Sequence, residues 1–345
     1  MNYQVMEKDI YTLTDGRKIK EFTLKNKNGL IVKVLNFGGI ISQLWVPDKH
    51  GNKKDIVLGF DNFESYLENP PYFGAIIGRV ANRISGASFM VEGKKYNINT
   101  KFEHYALHGG IEGFDKKLWE AKPYAVEGEQ GVELNYLSPD GEEGFPGNLK
   151  TRVVYRLTDY NELIIEYFAE TDKPTHVNLT NHSYFNMSDE EKIYNHKLWI
   201  PAEKMLETDK NIIPTGKLAD VKGTPYDFTK LHAIGDRIHE THVGYDHCYV
   251  FDKPENEMSP AAKVEEPVSG RIMEVYTTYP SMQLYTGNYL NNIKGKEGKK
   301  YPNHGAFCLE TQLLPDAANR KEFSTTLLMP GDIYSHTTVF KFNSK

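Results

Sequence analysis

Apolar and polar residues alternate with period two along most of this chain, the pattern of strands that bury one face. Residues 29–48, GLIVKVLNFGGIISQLWVPD, read as two strands broken at Gly38-Gly39. Residues 87–98, ASFMVEGKKYNI, predict a hairpin turning at Glu92-Gly93-Lys94. A second hairpin is predicted over 149–171, with Val153, Tyr155 and Leu157 on one face and the turn at Asp159-Tyr160-Asn161. The alternation continues through RIMEVYTTYPSMQLYTGN and TTLLMPGDIYSHTTVFKF to the C-terminus. Helical signal is thin. One short helix fits 62–71, stopped by Pro70-Pro71, and LHAIGDRI offers another turn or two. Polar turn clusters such as SPDGEEGFPGN recur, but none is long enough for an interdomain linker. No fixed-period repeat or low-complexity tract occurs. The expectation is an all-β chain, a single domain over 1–345 built as a large antiparallel β-sandwich, because stacking two sheets buries so many half-apolar strands.

Composition narrows the function classes. The 345 residues are 39% apolar, 12% aromatic and 26% charged, with a formal net charge of −6. A basic face for nucleic acid is not expected from such a balance. The N-terminal MNYQVMEKDIYTLTDGRK lacks an apolar signal core, and no run of 18 apolar residues exists for a membrane span. Cys248 and Cys308 sit in apolar strand-like segments and read as buried reduced thiols. A soluble cytoplasmic protein, monomer or homodimer, is expected.

Candidate chemistry lies in short polar motifs at the ends of these runs: Asn82-Arg83 in GRVANRI, His108 in ALHGG, His182 in NLTNHSYFN, Asp246 in GYDHCYV and Glu310 in FCLETQ. Two histidines, two carboxylates and a guanidinium so far apart in sequence cannot form a local structural motif. If they converge, they make an acid/base site with hydrogen-bond clamps, suited to proton transfer on a small polyhydroxylated substrate. In the run 176–186 the alternation sets His176, Asn178, Thr180 and His182 on one face, opposite Val177, Leu179 and Asn181. The bland alternative is a solvent-facing strand. Arg83 could equally be an ordinary salt-bridge partner, and His108 a satisfied loop histidine. Glu310 stands amid a mostly apolar strand, where an unpaired carboxylate is costly, so partners or a raised pKa are expected. No GxxxxGK[ST], strand-GxGxxG-helix, HExxH or CxxC motif is present. His242 and His247 have no third metal ligand at plausible spacing. Lys294, Lys296, Lys299 and Lys300 read as a solvated loop.

Taken in order, Asn36-Phe37-Gly38-Gly39, GRVANRI, ALHGG, NLTNHSYFN, LETDKNIIPTG, YDHCYVF, MQLYTGN and FCLETQLLPDAAN resemble the galactose mutarotase (aldose 1-epimerase) family over nearly the whole chain. The resemblance implies a supersandwich β fold, an aldohexose substrate interconverted between anomers, and no cofactor or metal. It implies Glu310 as general base and His182 as general acid, with His108 assisting near the ring oxygen. Asn82, Arg83, Tyr184, Asp246 and Gln283 would hold the sugar hydroxyls. After the glutamate the chain reads Leu313-Leu314-Pro315, where the family more often has a histidine and an aromatic, a departure that bears on sugar preference.

Three other activities compete on the residues alone. An enzyme for a phosphorylated hexose would need an arginine-rich pocket, and the motifs supply mainly Arg83. A non-catalytic sugar-binding module would keep the Asp, Asn and aromatics but has no use for a buried Glu facing a His. A glycoside hydrolase or lyase would need paired carboxylates, for which Asp246 and Glu310 could serve.

Overall fold

The alternating segments form antiparallel sheets in the computed structural model, which describes residues 4–69 and 71–345. The largest sheet has nine strands. Glu120–Val126, Glu129–Ser138, Leu149–Thr158 and Glu162–Thr171 follow in sequence order, and then the C-terminal Tyr334–Ser344 pairs beside them. Arg271–Thr277, Ser259–Glu265, Lys197–Trp199 and His232–Ala233 complete it. A five-stranded meander covers Met6–Thr12 to Lys53–Asp55. A second five-stranded sheet runs Pro214–Asp220, Lys204–Thr208, Asp246–Val250, Ser281–Tyr285, Cys308–Gln312.

Both predicted hairpins occur. Ser88–Val91 pairs with Lys94–Asn97, and Leu149–Thr158 with Glu162–Thr171. Asn161 takes a left-handed φ of 63° to close the second turn, a conformation asparagine tolerates well. The break at Gly38-Gly39 is also present, between Ile31–Leu35 and Ile41–Pro47. Both glycines have positive φ, and a Cβ on either would collide, with the Asp115 carbonyl at Gly38 and with Ile76 at Gly39. The Tyr155 hydroxyl donates to the Gly39 carbonyl at 2.8 Å and so ties the meander to the large sheet.

One contiguous core joins the three sheets. Val153, Tyr155, Leu157, Ile165 and Phe340 of the large sheet pack with Phe22, Val32 and Leu44 of the meander and with Tyr249, Met282, Leu284 and Leu309 of the second small sheet. Burying one such side chain contributes about 1.5–3 kcal/mol. The small sheets therefore stack on the large one as an all-β antiparallel sandwich. Among the described residues, helix is confined to Glu64–Glu68 and a few single 3₁₀ turns, two of them at Ile234–Asp236 and Ile238–Glu240. Asn69, at φ 29°, ends the helix by donating its N–H to the Ser65 carbonyl. Pro70, half of the expected stop, lies outside the described residues. No helix among the described residues is long and apolar enough to cross a membrane.

Two expectations need correction. The run from His176 to Asn186 is not one strand; it pairs in short pieces at Thr175–His176 and Thr180–Asn181, with single bridges from Asn178 to Val80 and from Phe185 to Val57 and Phe307. All of it is buried, so the solvent-facing alternative fails. Lys296 does not join a solvated loop either. Its ammonium turns inward to the Asp55 carboxylate at 2.6 Å and the Val57 carbonyl at 2.9 Å.

Candidate active site

Three adjacent strands of the second small sheet make the floor of the site. Asp246 pairs with Tyr285 and Tyr285 with Cys308; Cys248 pairs with Gln283 and Gln283 with Glu310. Side chains two residues apart share a face. Asp246, Gln283, Tyr285, Cys308 and Glu310 therefore project together, while Tyr249, Met282, Leu284 and Leu309 between them point into the core.

Loops from the first half of the chain cover that face. Arg83–Ser85 pairs with Tyr105–Leu107, which sets His108 beside Asn82. The Asn82 N–H donates to His108 Nδ1 at 3.2 Å, and the His108 N–H to the Asn82 carbonyl at 3.0 Å. Because Nδ1 accepts, the imidazole carries its proton on Nε2. Asn82 and His108 hold φ of 61° and 53°, and Gly109 follows at 88°. A Cβ on Gly109 would strike the Gly78 carbonyl, so only glycine allows this approach.

His182 enters from a third direction. Its N–H donates to the Ala75 carbonyl at 2.9 Å and its own carbonyl accepts from Gly74 at 3.0 Å. Its ring stacks on Tyr184, with centroids 5.0 Å apart, and on Tyr72 at 5.9 Å. Nε2 lies 3.6 Å from Glu310 Oε1, and Nδ1 lies 3.6 Å from Cys308 Sγ.

A polar clamp surrounds this pair. Gln283 Nε2 donates to Asp246 Oδ1 at 2.6 Å, and an Arg83 amino group stands 3.5 Å from Asp246 Oδ2. Arg83 also covers the Tyr105 ring at 5.2 Å. Glu310 Oε2, Gln283 Oε1 and Arg83 Nε are buried with no protein partner. Unmet buried groups in a cavity are what a polyol's hydroxyls would satisfy.

Burial sets the charge states. Glu310 is 2% exposed. Desolvation first, then the Asp246 charge, pushes its pKa well above the usual carboxylate value, with Arg83 opposing. Desolvation lowers His182 to about 4 and holds His108 well below its ordinary value.

All eight residues expected from the sequence (Asn82, Arg83, His108, His182, Tyr184, Asp246, Gln283 and Glu310) line one cavity of about 620 Å³. Other residues of the run 176–186 stay outside it. His176 bonds Thr326 Oγ1 at 2.8 Å, and the Asn178 side chain bonds the Leu313 backbone. Leu313 and Leu314 are likewise absent from the cavity wall, so the departure from the family pattern does not touch the space a sugar would fill. Sequence reasoning missed Tyr72, Tyr105, Tyr285 and the rim residues Phe102 and Tyr289. Tyr285 was available, since period two from Gln283 sets it on the same face. Tyr72, at φ 62° in a loop, carried no pattern.

His108, His182 and Glu310 offer ligand atoms within 4.8 Å of one another, the one such grouping among the described residues. Ligands of a tetrahedral zinc stand roughly 3.3 Å apart. The three would have to close in on an ion, and the nearby Arg83 charge, felt at Glu310 and His108, opposes a cation there.

A sandwich with a buried imidazole–carboxylate pair and unmet polar groups in one cavity suits an enzyme of acid/base chemistry on a polyol. Residues 20–341 match the family model described as aldose 1-epimerase. The galactose mutarotase of Bos taurus is 46% identical over 94% of both chains, and the aldose 1-epimerase of Escherichia coli K12 is 34% identical over 95% of this chain and 96% of its own. The solved aldose epimerase homologue from C. elegans superposes with a TM-score of 0.88 at 31% identity, covering 94% of this chain and 98% of its own. The chain belongs to the aldose 1-epimerase family, and its enzymatic class is that family's.

Proposed function

We propose that the protein interconverts the α and β anomers of aldohexoses such as galactose and glucose by opening and reclosing the ring, with Glu310 and His182 as the proton-transfer pair. The observation that carries this reading is the 3.6 Å approach of His182 Nε2 to Glu310 Oε1 on the cavity wall, both groups shielded from water.

Opening a cyclic hemiacetal moves two protons. The anomeric hydroxyl loses one to a base while the ring oxygen gains one from an acid, the C1–O5 bond breaks, and an aldehyde forms. After rotation about C1–C2, the ring closes on the other carbonyl face with the roles reversed. With Glu310 raised and His182 lowered, both shifts favour the pair sharing a single proton. Carboxylic acid with neutral imidazole, and carboxylate with imidazolium, have the same proton count, so their ratio does not change with pH wherever the pair holds one proton. The second form is the reactive one, with Glu310 taking the O1 proton and His182 giving one to O5. Each group contributes about 10²–10⁴-fold. His108, which presents Nε2–H to the cavity, stabilises the ring oxygen. Asn82, Arg83, Tyr184, Asp246 and Gln283 hold the other hydroxyls and keep the open chain in place between the two groups. Proton transfer by two side chains completes the chemistry without cofactor or metal.

The competing activities find less support. Arg83 is the sole guanidinium among the described residues lining the cavity, too few for a phosphate. Asp246 is occupied on both oxygens by Gln283 and Arg83, which suits a hydroxyl clamp better than a second hydrolytic carboxylate. The whole of 1–345 acts as one domain, supported by a core that runs from Phe22 to Phe342. Work in the cytoplasm as monomer or homodimer completes the reading. Polarimetry of freshly dissolved α-D-galactose tests it. The protein should speed the approach to equilibrium without changing the end point, and a trace equal to the buffer control for several aldohexoses would refute it.

A further inference from the structure

Nothing in the proton-transfer scheme uses Cys308, yet it is the residue that touches the second nitrogen of His182. Cys308 lies two positions before Glu310 on the same strand and face, fully buried, with Sγ 3.6 Å from His182 Nδ1. We propose that Cys308 is a positioning residue that holds the proton of His182 on Nδ1, and so leaves Nε2 as the nitrogen that exchanges protons with the sugar.

The ring has two faces and two edges to be fixed. Tyr72 and Tyr184 fix the faces by stacking. They leave the ring free to carry its single neutral-state proton on either nitrogen. Burial, with the charges of Glu310 and Asp246, pushes the Cys308 thiol well above its ordinary pKa, so the sulfur is neutral. A neutral thiol accepts and donates only weakly, so it can take an Nδ1–H, and the other partners of the ring decide between the two directions. The backbone carbonyl of His182 itself, which also favours the protonated ring, is a second acceptor that only Nδ1 can reach. Nδ1–H thus meets two acceptors, whereas Nε2 faces Glu310, which can supply a proton from its acid form. Titratable groups facing the ring are Glu310 and Cys308 from one strand, Tyr285 from the next, Tyr184 nearby, and His108 and Tyr72 from the covering loops. None besides Glu310 is a carboxylate. A histidine oriented by a carboxylate would have its imidazolium stabilised and become a weaker acid. A thiol orients the ring with far less of that stabilisation, and the imidazolium stays acidic enough to protonate a ring oxygen.

The inference rests on the assignment of His182 as acid, and the experiment separates the two. Protein labelled with ¹⁵N-histidine gives the tautomer directly from its long-range ¹H–¹⁵N correlations, with no need for turnover. In the wild-type protein near pH 7, His182 should show a protonated Nδ1 and a pyridine-like Nε2. Cys308→Ala should convert part of the population to Nε2–H. It should lower kcat roughly tenfold with KM held within about twofold, and move the acid limb of the pH–rate profile down by about half a pH unit, since the imidazolium loses an acceptor. Cys308→Ser, whose oxygen can accept but lies farther back, should fall between. A wild-type His182 protonated on Nε2 overturns the proposal, whether or not the variants fold. So does an acid limb unmoved in Cys308→Ala. An inactive protein with the Nδ1–H tautomer would sink the epimerase reading and leave the contact's role intact.

Discussion

Replacing Glu310 with Gln should separate catalysis from folding, and should push the two in opposite directions. Gln keeps the shape and one acceptor oxygen but cannot take a proton. Loss of the base should lower kcat by about 10²–10⁴-fold, or roughly 2.7–5.5 kcal/mol of barrier at about 1.4 kcal/mol per tenfold. Galactose binding should persist, because Asp246, Arg83 and Gln283 are untouched. Stability should rise. The folded-state pKa of Glu310 lies well above its unfolded value, through burial and Asp246. The sign follows from linkage. The native state binds the proton more tightly than the unfolded chain, so stability falls as pH climbs from the unfolded pKa towards the folded one, by about 1.4 kcal/mol per pH unit over that interval. Gln removes this dependence. The variant should therefore match wild type near pH 4 and gain on it as pH rises from there, less the cost of the amide's own unmet partners. Thermal unfolding at a series of pH values, beside polarimetry and titration with galactose, provides the assay. Near-wild-type turnover would move the base to another carboxylate, Asp246 first. A stability gap that narrows with rising pH would contradict the account of a desolvated Glu310.

Further outcomes follow from the same geometry. His182→Asn with Glu310→Gln should be little slower than the poorer single variant, since the two groups serve one exchange; additive losses in stopped polarimetric traces would mean they act in separate steps. Asp246→Asn should raise KM more than it lowers kcat, because a hydroxyl clamp holds ground and transition states alike; an unchanged KM with lost kcat would instead assign Asp246 to the chemical step. Gly109→Ala should destabilise the fold by on the order of 1–3 kcal/mol and depress kcat, as its Cβ meets the Gly78 carbonyl at a left-handed φ; an unchanged melting temperature would mean the His108 loop can relax freely.

The sheets were legible because burial imposes a period of two that the sequence cannot disguise, as Val153, Tyr155 and Leu157 illustrate. The same rule misled at 176–186. There, local polar side chains bond backbone in place of a ladder, as when Asn181 accepts from Ser183 and the Asn178 amide reaches Leu313. Glu310 was visible as a carboxylate with apolar neighbours, a contrast that needs no knowledge of distant strands. Tyr72 was not, since its contact with both histidines depends on how a covering loop folds back over the floor. The inward turn of Lys296 was equally hidden, because Lys296 sits in a turn and its partner Asp55 on a strand of the meander far away in sequence.

The two-sided floor has a consequence for how errors in folding are policed. Asp246, Gln283 and Glu310 share one face with aliphatic and aromatic residues on the reverse. A slip of one residue in any of these strands would turn its cavity-facing polar side chain into the hydrocarbon interior and its Tyr, Leu or Met outwards. The geometry of the cavity and native-state stability are thus read from the same register. A misaligned chain would not persist as a folded but inactive enzyme; it would expose apolar surface and be open to proteolysis. Variation that alters which sugars are accepted has a safer outlet in the rim, where Phe102 and Tyr289 sit on loops that no strand pairing constrains.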